Sequence, residues 1–162
     1  MLFKDKYFFL SNFYPCDIVV EIEGKKLHFK NAEAAYQAQK NVELAEHFIL
    51  LSGSEAKKLG RNIPITTESW KTEKLYAMAK ALHSKYQNYA LLFYLKLVKD
   101  EIIEDNYWGD TFWGVCTNKT YDHKGKNILG KMLMNIRDND NDYNCLLAYI
   151  NTELVKLCIT ED

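Results

Sequence analysis

Residues 67–88 read TESWKTEKLYAMAKALHSKYQN. Leu75, Met78, Ala79, Leu82 and Tyr86 recur at three- and four-residue spacings, the period of one helix face. Thr67 is the candidate N-cap. Working outward, the same period returns on both sides. Upstream it covers Ala32 to Gln39 inside NAEAAYQAQK (31–40), with Asn31 as N-cap. It returns in ELAEHFILL (43–51) and SEAKKLG (54–60), with Gly60 as a C-cap. Downstream, YALLFYLKLV (89–98) reads as a largely buried helix. NILGKMLMNIRD (127–138) sets Ile128, Leu129, Met132, Leu133 and Ile136 on one side. A final helix runs from about Tyr143 to Cys158, carrying Leu146, Leu147, Ile150, Leu154 and Leu157. One segment is different: DIVVEIEGKKLHFK (17–30) alternates around Glu23-Gly24-Lys25, a hairpin signal. The sum is α+β, mostly α: a single helical domain over residues 1–162 with a small β-hairpin.

Composition narrows the function. With 21 Lys and Arg against 22 Asp and Glu, the net charge is −1, so no global pull toward nucleic acid or acidic membrane follows. Cys16, Cys116, Cys145 and Cys158 are too few and scattered for a disulfide scaffold, and neither they nor His28, His47, His83 and His123 show metal-ligand spacing. No metal and no cofactor is expected. MLFKDKYFFL at the start is not a convincing signal peptide, and the longest apolar run, ALLFYLKLV, is broken by Lys96. These features point to a cytoplasmic protein with reduced thiols and no membrane partner; they leave the oligomeric state open.

Three features break their local pattern. In NAEAAYQAQK, Glu33, Tyr36, Gln37 and Lys40 share one helix face: a carboxylate, a ring, an amide and an ammonium opposite small alanines. Lys85 follows Met78 and Leu82 on the core side of its helix. Either its head snorkels to water, or it enters a cleft and meets an anionic group. Residues 105–127 carry Gly109, Gly114 and Gly125, no helical period, and the aromatics Tyr107, Trp108, Phe112, Trp113 and Tyr121. A loop that long in a compact chain suggests function, and its rings argue against disorder. Its Asp110 is either a carboxylate of altered pKa among rings or the cap of a turn. KGKNILG (124–130) runs into a helix start with Lys124, Lys126 and Arg137 near in sequence. It reads equally as an anion site or as a solvated basic turn capped by Asn127.

These pieces resemble the YbiA-like, or NADAR, family. The matching stretches are FLSNFYP (9–15), NAEAAYQAQK, AKKLGR (56–61), Trp70, MAKALHSKYQN (78–88), IIEDNYWGDTFWG (102–114) and GKNILGKMLMNIR (125–137). Each is weak alone; their order over residues 7–138 makes the resemblance specific. The last helix, within 139–162, is left as an addition. The resemblance implies a mostly helical domain with a polar cleft that hydrolyses an N-glycosidic bond between ribose and nitrogen. Two substrate branches are implied: phosphoribosylamino-pyrimidine intermediates of riboflavin synthesis, and ADP-ribosylated guanine, including ADP-ribosylated nucleic acid. The family pattern falls on Asn12, Phe13, Glu33, Gln37, Lys40, Arg61, Trp70, Lys85, Glu104, Asp110, Trp113, Gly114, Asn127, Gly130 and Arg137. Many members carry a histidine directly after the glutamate; here Ala34 stands there. The insertion VCTNKTYDHK (115–124) is longer than in compact members and is expected to reshape the mouth of the site.

The residue types suggest roles. Breaking an N-ribosyl bond builds positive charge at the anomeric carbon and needs an activated water and a protonated leaving nitrogen. Glu33 and Asp110 are the expected catalytic carboxylates, with Lys85 holding one of them ionised or touching substrate oxygen. Tyr36 and Trp113 are stacking candidates, and Lys40, Arg61 and Arg137 phosphate candidates. Asn12, Phe13, Gln37, Trp70, Glu104, Gly114 and Asn127 complete the substrate-binding expectation. The competing class is a non-catalytic module that binds ADP-ribose or another NAD derivative, an alternative the absent histidine keeps open.

Overall fold

Asn31 begins the central helix by capping it: its side-chain oxygen accepts from the Ala34 amide at 2.8 Å. The computed structural model describes residues 2–159; Met1 and residues 160–162, included in the single-domain expectation, lie outside them. A 3-10 turn at Asp5–Leu10 precedes β1 (Ile18–Ile22) and β2 (Lys25–Phe29). Then follow α1 (Ala32–Ala38), a 3-10 segment at Val42–Phe48, α2 (Gly53–Asn62), α3 (Trp70–Lys85) and α4 (Tyr89–Leu97). The short strands β3 (Asp105–Asn106) and β4 (Val115–Cys116) come next, and α5 (Ile128–Asp138) and α6 (Tyr143–Ile159) complete the order. This is the expected α+β, mostly α, architecture.

β1 and β2 pair antiparallel, with Ile18 opposite Phe29 and Ile22 opposite Lys25. Glu23 and Gly24 both adopt positive φ, as a two-residue hairpin turn requires. The alternation of β1 buries Ile18, Val20 and Ile22. They join Phe29, Phe48, Ala56 and the alanines of α1 in one apolar cluster. A second cluster is built by Leu75, Leu82, Leu95, Ile102, Met132, Leu133, Leu146 and Ile150. α1 lies at the seam: Ala32, Ala34, Ala35 and Ala38 belong to the first cluster and Tyr36 to the second. Only residues as small as alanine let one short helix pack against the hairpin, α2 and α3 together.

Several local expectations are corrected by tertiary contacts. The segment after α1 is 3-10 rather than α-helical. α2 begins at a capping box, Ser52 with Glu55, and continues past Gly60. Gly60 is therefore no C-cap; a β-carbon there would collide with the Gln37 side-chain amide. Thr67 does not cap α3: its hydroxyl donates to the Gln39 carbonyl at 2.6 Å, and the helix starts at Trp70 after Ser69. α4 buries only Leu91 and Leu95 and exposes Tyr89, Phe93, Tyr94 and Leu97. The 105–127 segment contains a parallel pairing, Asp105 with Val115 and Asn106 with Cys116. Among the described residues, no helix is long and apolar enough to cross a membrane.

Candidate active site

The polar face of α1 opens into a cavity of about 720 Å³. Glu33, Tyr36, Gln37 and Lys40 line one wall. Asn12 and Phe13 of the N-terminal segment, Lys57 and Arg61 of α2, and Glu104, Asp105, Tyr107, Trp108, Asp110 and Trp113 of the β3–β4 region supply the others. The four residues of the opening stripe are thus brought together with residues far away in sequence.

Glu33 is buried, and one of its oxygens accepts from the Gln37 amide at 2.7 Å, four residues on. Burial pushes its pKa up, opposed by that hydrogen bond and by the Lys57, Lys40 and Arg61 charges. Lys40, half-buried, is driven down by desolvation and drawn back by Glu33. Glu104, a second carboxyl of the cavity, is raised as well. Burial, then the neighbouring charge of Asp110, hold it protonated up to about 8; Lys57 opposes, and Glu33 and Asp105 reinforce. Its backbone is pinned on both sides. The Glu104 amide donates to Asn127 Oδ1 at 3.1 Å, and its carbonyl accepts from Val115 at 2.8 Å. Three acceptor oxygens on cavity residues have no donor: Asn12 Oδ1, Gln37 Oε1 and Glu104 Oε2.

Tyr36 is held by two rings, Trp70 at 5.6 Å and Trp113 edge-on at 5.7 Å between centroids. Trp113 lines the cavity beside it, whereas Trp70 stands outside the lining and supports Tyr36. Asp110 lines the cavity, but its Oδ1 accepts from the amides of Phe112 and Trp113 at 3.0 and 2.8 Å. The turn-capping reading of Asp110 is thus realised, with the carboxylate still on the wall.

Gly114 is required by close approach rather than by its torsions. A β-carbon there would strike the Glu104 carboxylate and Glu104's own carbonyl, and would lie 2.9 Å from the Asn106 amide. The carbonyl belongs to the β3–β4 pairing and cannot step aside. Gly114→Ala is expected to destabilise the protein by about 3 kcal/mol. A denaturant midpoint unchanged from wild type would refute this account.

Three expectations need correction. Lys85 neither snorkels nor reaches a carboxylate or the cavity. It is 1% exposed, and its ammonium donates to the Ser11 carbonyl at 2.8 Å beside the rings of Tyr14 and Tyr86. Burial lowers its pKa to about 8. Its role is to anchor the segment that presents Asn12 and Phe13. Arg137 lies away from the cavity, donating to the carbonyls of Val98 and Asp100 and to Asp138. Asn127 is committed to backbone: its amide donates to the Ile102 carbonyl at 2.9 Å, and its oxygen serves Glu104. The anion-site reading of residues 124–130 fails with it. The first amides of α5, Ile128 and Leu129, donate to the carbonyls of Phe112 and Trp113.

Sequence reasoning missed Lys57, Lys58, Tyr107 and Trp108, all cavity-lining. Lys57 stands four residues before Arg61, a spacing that shares a helix face and was a readable signal. Trp108 had no such signal, because a loop residue's direction has no period.

The pattern of the NADAR domain matches residues 2–139. The chain belongs to the NADAR domain family. It is 32% identical to N-glycosidase YbiA of Shigella sonnei over 146 residues, covering 83% of this chain and 82% of that protein. N-glycosidase Npun_R5314 of Nostoc punctiforme is 31% identical over 136 residues, covering 79% and 82%. Riboflavin biosynthesis protein VVA0006 of Vibrio vulnificus is 30% identical over 135 residues, which are 80% of this chain but 35% of that longer protein. The solution structure of Escherichia coli YbiA superposes with a TM-score of 0.66 at 27% identity, covering 86% of this chain and 83% of that one. The α6 helix lies beyond the NADAR match and packs on α3 and α5.

Two expected departures from the family pattern can be placed in the structure. Ala34 is fully buried in the hairpin-side cluster and is not part of the cavity lining. The position after Glu33 thus faces core in this chain. The 115–124 stretch, expected to reshape the mouth of the site, contributes no lining residue. Its Tyr121 ring packs against Gly109 instead.

Proposed function

We propose that the chain is an N-glycosidase that hydrolyses a bond between a ribosyl anomeric carbon and a base or amine nitrogen. The observation that carries this reading is the meeting of Glu33 and a protonated Glu104 in one cavity that also presents cations and rings. The names of the YbiA-type relatives point the same way. A pair of carboxyls flanking the scissile bond is what such a cleavage uses. Glu104 gives its proton to the leaving nitrogen as the C–N bond breaks and its electron pair leaves with the base. Glu33 faces the positive charge that develops on the ribosyl ring and takes a proton from the water that adds to the anomeric carbon. The sequence expectation pairs Glu33 with Asp110. The geometry favours Glu104, because Asp110 is tied into its turn and acts through its charge on Glu104. Lys40 and Arg61 are the phosphate partners, and Trp113, braced by Tyr36, offers a ring to the base.

The test follows release of free base by mass spectrometry from two substrates in parallel, ADP-ribosylated guanosine and the phosphoribosylamino-pyrimidine intermediate. Release from either one supports the reading and selects the branch. Intact substrate in both reactions, with ADP-ribose still bound in calorimetry, overturns it in favour of a binding module.

A further inference from the structure

A second groove, of about 920 Å³, is lined by β1 and the end of α3 and shares no residue with the active-site cavity. The hairpin is a two-stranded sheet, so β1 has one edge without a neighbouring strand. The Val19 amide points to that edge, donating to Ser84 Oγ at 2.8 Å. In an antiparallel ladder, alternate residues turn their main-chain groups to the same side. The Glu21 amide and carbonyl therefore turn to that edge too, and among the described residues nothing pairs with them. The carboxylates of the lining are Glu21, Glu23 and Asp17; against them it sets Lys80. His28 holds Asp17. Glu21 and Glu23 are exposed, and among the described residues neither is in an ion pair. His83, also of the lining, is committed. It stacks on Tyr143 with centroids 4.7 Å apart, and its Nδ1 and Nε2 meet Asn141 Oδ1 at 3.1 Å and Gln87 Nε2 at 3.0 Å. An acceptor at Nδ1 and a donor at Nε2 suit the neutral ring, which leaves the carboxylates uncancelled.

We propose that this groove binds an extended, lysine- or arginine-bearing segment of another protein, which adds to the free edge of β1 as a third strand. Main-chain bonds to Glu21 hold the segment, and its cations meet Glu21 and Glu23. Successive side chains of an added strand point to opposite faces, so the cations belong at alternate positions. A second copy of this chain is a poor occupant. Pairing β1 with its own copy would set Glu21 and Glu23 against the same carboxylates. An acidic segment meets the same repulsion. The surface stands apart from the N-glycosidase reading, and neither depends on the other.

The probe is a heptapeptide of alternating lysine and valine with blocked termini, titrated by calorimetry at low ionic strength. Two control peptides keep its length. One carries glutamate for lysine; the other has every amide N-methylated, which keeps the charge but leaves no N–H to donate. The wild type is expected to bind the lysine peptide in preference to both controls, and amide exchange at Glu21 should slow when it does. The double variant Glu21→Gln, Glu23→Gln should bind it about 2- to 30-fold more weakly, as loss of two exposed charge pairs implies. Its thermal midpoint should match the wild type, because both side chains are exposed. The proposal is overturned if the wild type does not bind the lysine peptide, if the N-methylated peptide binds as well, or if the double variant binds like the wild type. Peptide-induced protection around Glu33 in place of Glu21 overturns it too. Self-association without peptide that protects the Glu21 amide would assign the edge to a second copy and overturn the proposal.

Discussion

Glutamine in place of Glu104 is expected to lower turnover by about 10²- to 10⁴-fold, the usual contribution of a general acid, and to stabilise the fold as pH rises. Glu104 holds its proton to about 8, from an ordinary value of 4.5. In the unfolded chain it ionises near that ordinary value. Between the two the folded chain carries the extra proton, so the wild type loses stability as pH rises through that window. Glutamine does not titrate. At pH 5 the variant and wild type should be close in stability. By pH 8 the variant should lead by about 2 kcal/mol, a discounted figure for a group that is not fully buried. Turnover of the wild type should fall above pH 8, and the residual turnover of Glu104→Gln should lack that fall. Denaturant melts at both pH values and a pH–rate profile read the two effects. A pH profile unchanged by Glu104→Gln removes the acid role.

Glu33→Gln is expected to cost a comparable 10²- to 10⁴-fold in kcat, with little change in KM. The substitution keeps size and leaves an oxygen to accept from the Gln37 amide, as Glu33 does at 2.7 Å. It removes the ability to carry the charge that Lys40, Lys57 and Arg61 favour and that the proposed mechanism sets against the developing oxocarbenium. Loss of kcat with an unchanged melting point marks a group needed in the transition state. A correctly folded Glu33→Gln enzyme with near wild-type turnover refutes the assignment. A loss carried wholly by KM would place Glu33 in substrate binding.

The local elements were legible because their causes are local. Asn31 caps α1 through a hydrogen bond three residues away, and β1 turns into β2 at Glu23-Gly24 because those two residues sit at positive φ. The apolar period of Leu75, Met78 and Leu82 placed α3 on the core. Boundaries slipped where distant groups intervened. Gly60 lies inside α2 because Gln37 fills the space beside it, and Thr67 fails to cap α3 because the Gln39 carbonyl claims its hydroxyl.

By itself the sequence determined the helical architecture, the single hairpin and the polar stripe of Glu33, Tyr36, Gln37 and Lys40. Periodicity and turn chemistry fix which residues share one face of one element. Tertiary structure alone decided which faces meet. It sent Lys85 to the Ser11 carbonyl, Arg137 to the carbonyls after α4, and Asn127 to the backbone of Ile102 and Glu104. It also gathered Glu104, Lys57 and Trp108 around the stripe. A cation or carboxyl carries the same letter whether it holds a loop or faces a cavity. Its proton affinity and role come from burial and from neighbours that only the folded chain brings within reach.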